Sequence, residues 1–222
     1  MGLPMPIADD EVPRELQGAT AWWSPMRRGI LRPGQLKVAR SLRKTTKHQT
    51  TTVDRAFDEV ITRCADPTRP YAWIDDRVME AYRYLHDRGW AHSVETWDAQ
   101  GRLVGGLYGV NVGGFFSGES MFHDPEYGRD ASKTALMRLV CELGPGLLDV
   151  QWSTPHLASL GVTEVDRGEY LALLSDALER SSPQWTSPDD PAWNGVHLLE
   201  RLRSCLLDTS PRPRDPQTWR VA

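Results

Sequence analysis

At 222 residues, 40% apolar and with a formal net charge of -4, the chain is long enough for one good core with room for a small appendage. Three widely spaced cysteines, Cys64, Cys141 and Cys205, exclude a disulfide framework and a CxxC metal knuckle, so reduced structural thiols are expected. The opening MGLPMPIADDEV lacks a basic, apolar leader and no later run approaches 18 apolar residues, so the reading is a cytoplasmic globule with no signal peptide and no membrane span.

Residues 1–26 are Pro-rich and without period, as a stub or incomplete subdomain would be. From Arg27 to Arg55 the balance is strongly basic: Arg27, Arg28, Arg32, Lys37, Arg40, Arg43, Lys44, Lys47 and Arg55 stand against Asp54 alone. Such a segment attracts phosphates, for which Arg forks are suited, but a solvated face balancing acidic neighbours fits equally well. After Asp54, Phe57, Val60, Ile61 and Cys64 fall at helical spacing. A second helix is predicted over about Arg77 to Arg88, with Asp75 or Asp76 as cap and Gly89 as stop.

Beyond Gly89 the period changes to two. HSVETWD, LVGGLYGVNV and FFSGESMF, joined by short polar or Gly-rich turns, predict an antiparallel meander. Gly105, Gly106, Gly109, Gly113 and Gly114 signal either bulges and a close ligand approach or a merely twisted sheet. A helix capped by Asp130 or Ser132 follows, with Ala135, Leu136, Leu139, Val140 and Leu143 on one side and Gly144 at its end. LLDVQ is a short buried strand, TPHLASLG a helix with Thr154 as cap, and RGEYLALLSDALER the last helix. Residues 181–222 are rich in Pro, Trp, Ser and Asp without period and are read as an irregular tail. Helix, three strands, helix, strand, helix is the order of an α+β acyltransferase-like core, which by itself does not give a function.

The sequence has no GxSxG elbow, HExxH or P-loop lysine, and its six histidines form no metal pattern, so a site without metal or cofactor is expected. Asp149 and Gln151, two apart in LLDVQ, lie on one face of a strand. A carboxylate and an amide on an apolar strand are costly unless hydrogen-bonded, so the pair either stitches the sheet or lines a pocket. Glu119, among Phe115, Phe116, Met121 and Phe122, offers the same choice: core, or an apolar ligand group held beside a charge that takes an amine.

Seven segments in collinear order carry a resemblance: WWSP (Trp22 to Pro25), ARSLRK (Ala39 to Lys44), EAYRYLHDRGWAHSVETW (Glu80 to Trp97), LVGGLYGV (Leu103 to Val110), SGESMF, DASKTAL, and LLDVQ with HLASLG. From about Ala21 to Leu178 the chain resembles the leucyl/phenylalanyl-tRNA-protein transferase family. Each segment is weak alone, and the ordered set is specific. The resemblance implies transfer of leucine, phenylalanine or, less well, methionine from aminoacyl-tRNA to the N-terminal Arg or Lys of a protein, which marks that protein for degradation through the N-degron pathway. The implied architecture is an α+β fold with an acetyltransferase-like (GNAT-like) core at 27–180. A remnant of an N-terminal subdomain at 1–26 precedes it, and the irregular tail at 181–222 follows.

The resemblance also assigns roles. ARSLRKTTKH would grip the tRNA acceptor stem, largely through phosphates, with Lys44 and Arg43 foremost and Arg40 and Lys47 beside them. Trp73 would meet the terminal adenosine. Leu107, Phe116, Met121, Leu139 and Leu143 would form the aminoacyl pocket, rejecting β-branched side chains by shape, although one methyl group discriminates by only ~1 to 3 kcal/mol. Gln151, Asp149 and Glu119 would be the catalytic set. An aminoacyl ester is already activated and a peptide α-amine, with a pKa near ~7.7 to 8.0, is partly neutral, so positioning supplies most of the rate. Gln151 would accept a hydrogen bond from the attacking amine and Asp149 would orient it. Glu119 would bind the aminoacyl ammonium or the acceptor's cationic side chain. A monomer is expected.

The chain departs from the family pattern at its start. Family members carry GGDL-type and FPW-type stretches; here GLPMPI corresponds to their end, so the N-terminal subdomain reads as truncated or its start as misassigned. Met5 stands nearest to the aromatic that closes the pocket, and Val150 replaces the usual cysteine. Two rival readings are an acyl-CoA N-acetyltransferase, for which EYGRDASK offers a single glycine to a pyrophosphate, and a non-catalytic tRNA- or RNA-binding module.

Overall fold

A computed structural model of the chain describes residues 3–6, 20–69 and 73–208. In chain order the elements are β1 (Leu3–Pro6), β2 (Thr20–Trp23), β3 (Arg27–Leu31), α1 (Arg40–Thr46), β4 (Thr50–Val53), α2 (Phe57–Cys64), α3 (Asp76–Asp87), β5 (Ala91–Trp97), β6 (Leu103–Val112) and β7 (Phe115–His123). Then come α4 (Ala131–Leu143), β8 (Leu147–Gln151), α5 (Pro155–Ser159), β9 (Thr163–Asp166), α6 (Arg167–Leu178), β10 (Trp193–Asn194) and α7 (Gly195–Asp208). β1 and β2 form a separate antiparallel ribbon, and the other strands make one sheet in the order β10-β4-β5-β6-β7-β8-β3-β9. The α+β class expected from the sequence is the class observed.

The meander β5-β6-β7 forms where the period-two segments place it, and adjacent residues on it face opposite layers. Leu107 packs into the cluster that includes Leu136, Leu139 and Val140 of α4, while its neighbour Tyr108 packs with Phe57, Val60 and Tyr82 of α2 and α3. Helices therefore cover both faces of the sheet. The caps follow the sequence: Asp75 accepts from the Val78 N–H and Thr154 from the Leu157 N–H. Asp130 precedes α4 in a left-handed conformation (φ 58°), and its carboxylate binds Lys133 and Thr45 instead of capping the helix.

Two of the sheet's glycines answer the question left open by the sequence. A Cβ at Gly105 would lie 2.5 Å from the Ala131 Cβ at the start of α4, and one at Gly109 would lie 2.1 Å from the Ser117 carbonyl oxygen, beside a register shift between Tyr108 and Gly109. They permit helix-to-sheet approach and a bulge, not contact with a ligand.

One relationship in the sheet is parallel. β7 and β8 pair through Phe115↔Leu147, Phe116↔Leu148 and Ser117↔Asp149, with α4 as the crossover that a parallel pair requires. Pairing stops there, while β7 continues to His123 and β8 ends at Gln151. A notch opens between the two strand ends.

The tail is not irregular throughout, contrary to the sequence reading. β10 pairs with β4, and α7 buries Leu198, Leu199 and Leu202 in the same cluster as α4. Their spacing is helical, and the Pro-rich stretch before them hid the pattern. Residues 209–222, like most of 1–26, lie outside the described residues. Among the described residues no helix is long and apolar enough to cross a membrane.

Candidate active site

The notch holds a cavity of about 270 Å³. Its walls are mainly apolar: Leu107 from β6, Met121 from β7, Leu136 and Leu139 from α4, Leu148 from β8 and Leu157 from α5. Polar groups enter at a few points, namely Glu119, Tyr108, Gln151, Thr154 and His156. A concave apolar space with a small number of placed polar groups is what binding of a single apolar side chain needs.

Gln151 is fixed by the end of β8. Its backbone is left-handed (φ 60°), an uncommon conformation for a residue with a side chain and one that collects at functional sites. Its N–H donates to Asp149 Oδ1 at 2.8 Å, and its side-chain Nε2 donates to the Gly118 carbonyl at 2.6 Å and to Ser117 Oγ at 3.4 Å. With the amide nitrogen committed to β7, the side-chain carbonyl oxygen is the acceptor left to the cavity.

Asp149 lies behind Gln151 and does not line the cavity. It is fully buried and held by three groups: Arg28 from β3, whose Nη2 donates to Oδ2 at 2.7 Å and whose Nε lies 3.0 Å from each oxygen; the Tyr170 hydroxyl from α6 at 2.8 Å; and the Gln151 N–H. The Arg28 guanidinium also lies over the Tyr170 ring, 4.9 Å from its centroid. Burial pulls the Arg28 pKa down, but the hydrogen bond and charge of Asp149 outweigh it and raise the value overall. Burial and then the Asp149 charge push the Tyr170 hydroxyl up. Asp149 is thus a structural anion that sets the backbone of Gln151.

Glu119 is different. Its Oε2 is buried with no hydrogen-bond partner among the described residues, as is the Tyr108 hydroxyl. Burial, opposed by the Ser117 and Tyr82 hydroxyls and reinforced by the Asp149 charge, pushes the Glu119 carboxyl up to about 7. Such a group ionises readily when a cation arrives beside it. On the rim, burial and then Lys133 and His123 hold the His156 imidazole below its ordinary value.

The structure brings together part of the predicted site. Leu107, Met121, Leu139, Glu119 and Gln151 line one cavity. Phe116 and Leu143 do not: both are core residues behind it, Phe116 fully buried with its ring 5.7 Å from that of Trp185, and Leu143 in the last turn of α4. Trp73 does not line the cavity either, and packs partly buried with Ile74 and Tyr82. Arg40, Lys44 and Lys47 are exposed on or just after α1, three and four residues apart, whereas Arg43 is half-buried and its Nε donates to the Val38 carbonyl. Arg43 is therefore less available to a phosphate than the sequence reading made it.

The sequence reading missed Arg28, Tyr170, Tyr108 and His156. None of these stood out in the sequence: Arg28 read only as one of nine Lys or Arg in the basic segment from Arg27 to Arg55. Among the described residues no three His, Cys, Asp or Glu side chains come together as a metal site would need.

A fully hydrogen-bonded buried anion, an amide oriented by it and an apolar cavity with one unsatisfied carboxyl oxygen define a site built to position an uncharged apolar group next to a polar one. Residues 30–175 match the family model of leucyl/phenylalanyl-tRNA protein transferase. A leucyl/phenylalanyl-tRNA-protein transferase from Rhizorhabdus wittichii is 47% identical over 180 residues, 78% of this chain and 69% of that protein. The protein of that name from Zymomonas mobilis is 42% identical over 88% of this chain and 72% of its own length, and that from Laribacter hongkongensis 43% identical over 77% and 76%. The chain belongs to the leucyl/phenylalanyl-tRNA-protein transferase family, a family of aminoacyltransferases.

Proposed function

We propose that the protein transfers leucine, phenylalanine or methionine from aminoacyl-tRNA to the N-terminal Arg or Lys of acceptor proteins, marking them for degradation through the N-degron pathway in the cytoplasm. The observation that carries this reading is the convergence of the Gln151 amide and the Glu119 carboxyl on one apolar cavity of about 270 Å³, in a chain of this family. The apolar walls take the aminoacyl side chain. The core is read as GNAT-like because a parallel strand pair, bridged by α4, parts beside the site. Residues 27–180 are the catalytic domain in this reading, with 1–26 belonging to an N-terminal subdomain and 181–222 to a tail whose described part packs on the core.

The acceptor's neutral α-amine attacks the ester carbonyl of the aminoacyl group. A C–N bond forms, the C–O bond to the ribose breaks, and the amine's proton ends on the departing ribose oxygen. Gln151 Oε1 accepts a hydrogen bond from the attacking N–H and so aims the nitrogen lone pair, a positioning role that requires no covalent enzyme intermediate. Asp149 acts through Gln151 as a positioning residue, and Arg28 and Tyr170 hold Asp149. Glu119, ionised by the approach of a cation, takes the aminoacyl ammonium or the acceptor's cationic side chain. Trp73 meets the terminal adenosine, and Arg40, Lys44 and Lys47 contact RNA phosphates.

The test is transfer of labelled phenylalanine from its tRNA to an Arg-initiated peptide. The wild-type protein is expected to label this peptide and to leave one starting with an acidic residue unlabelled. Binding of tRNA with no transfer would leave the RNA-binding module standing in its place.

A further inference from the structure

A second cleft, of about 490 Å³, opens between α1, the turn joining β5 to β6 and the loop that leads into α4. Lys44, Asp98, Arg102, Tyr127 and Arg129 line it. Its charges are of two kinds. Arg102 is committed: its Nε donates to Asp98 Oδ2 at 2.6 Å, and its guanidinium lies over the Tyr127 ring, 3.8 Å from the centroid. Asp98 is likewise satisfied, accepting the backbone N–H groups of Gln100 and Arg102 at 2.9 Å each. Lys44 and Arg129 are exposed and enter no ion pair among the described residues.

A neutralised guanidinium stacked on a half-exposed tyrosine is a poor phosphate ligand but a rigid, flat platform for a base. Two unpaired cations beside it suit phosphate oxygens. The cleft's volume lies within the ~300–1,000 Å³ of ligand sites, and it is continuous with the exposed basic side of α1 through Lys44. We propose that this cleft binds one of the unpaired 3′ nucleotides of the donor RNA, its base on the Arg102–Tyr127 platform and its phosphate between Lys44 and Arg129. The proposal rests on aminoacyl-tRNA being the donor.

The test measures tRNA binding to the full chain across a salt series, for wild type, Arg129→Glu and Tyr127→Ala, on intact tRNA and on tRNA trimmed of its unpaired 3′ nucleotides. On intact tRNA each variant is expected to bind about tenfold more weakly. Arg129→Glu lowers the slope of log K against log salt by about one, and Tyr127→Ala leaves that slope unchanged. On trimmed tRNA both variants bind like wild type. Both positions are exposed, and an unchanged unfolding midpoint shows that neither variant is misfolded; if Arg129→Glu fails that check, Arg129→Ala takes its place. Wild-type affinity for either variant on intact tRNA removes the cleft alone, as does a defect that persists undiminished on trimmed tRNA. A wild-type protein that bound neither RNA would instead overturn the donor assignment, and the cleft with it.

Discussion

Arg28 and Asp149 face each other from adjacent strands with Nη2 2.7 Å from Oδ2, their side chains 1% and 0% exposed. Removing either partner takes from the other the opposite charge that compensates its burial. Arg28→Met and Asp149→Leu are each expected to lose about 3–5 kcal/mol of stability, while the double substitution recovers part of that loss. Urea unfolding of the three variants measures this. A loss below about 1 kcal/mol in either single variant would show that the pair is not the clamp described.

Gln151 separates conformation from chemistry. Because its φ is positive, Gln151→Gly relieves the backbone at that residue, which offsets part of the about 1–3 kcal/mol cost of leaving the Gly118 carbonyl without the amide's hydrogen bond, so the variant loses no more than about 2 kcal/mol of stability. Transfer activity should fall by about 100-fold. Retained activity in Gln151→Gly would remove the positioning role.

Glu119 links the site to pH. Its carboxyl rises from 4.5 to about 7 on folding, so between those values the folded protein holds a proton that the unfolded chain has released. Stability therefore falls as pH rises through this window, by roughly 1–3 kcal/mol, and the loss is complete above about 7. Glu119→Gln should flatten that part of the profile and be the more stable protein at pH 8. Thermal unfolding from pH 4.5 to 8 tests this, and parallel profiles for the two proteins would contradict it. Burial also pushes Glu95 up, an effect that acts in the same direction and is present in both proteins.

Met121 stands on the cavity wall and is only partly buried, so enlarging it intrudes on the space itself. Met121→Trp should reduce transfer of phenylalanine about tenfold more than transfer of leucine. Competition between the two charged tRNAs in one reaction reads the ratio directly, and an unchanged ratio would place the aminoacyl side chain elsewhere.

Leu202 tests the reading of the tail. It is 1% exposed in α7 and packs with α4, so Leu202→Ala should cost about 2–5 kcal/mol, as at any core leucine. A tail that merely drapes over the surface would show almost no change.

What the sequence made legible was what repeats locally. The period-two runs of the meander, the apolar stripes of α2 and α4 and the capping Asp75 and Thr154 are patterns a short window contains, and they formed where expected. The short strands β3, β4 and β9 were not readable, because four or five residues cannot establish a period, and in β4 threonines occupy buried positions. At the site, Glu119 and Gln151 stood out as polar residues among apolar ones. Arg28 and Tyr170 did not stand out, since they reach Asp149 from 121 and 21 residues away and only the assembled sheet brings them together. Phe116 and Leu143 show the opposite error, in which apolar residues near the site in sequence became core because their side chains face into the packed layer behind it.

The early end of the β7–β8 ladder bears on how this site can vary. An opening produced by two main chains drifting apart is a property of strand register, so trimming or exchanging the side chains around it reshapes the hollow without erasing it. Relatives of this fold could thus alter the molecule they accommodate by changing a handful of lining positions, leaving the scaffold that creates the vacancy untouched.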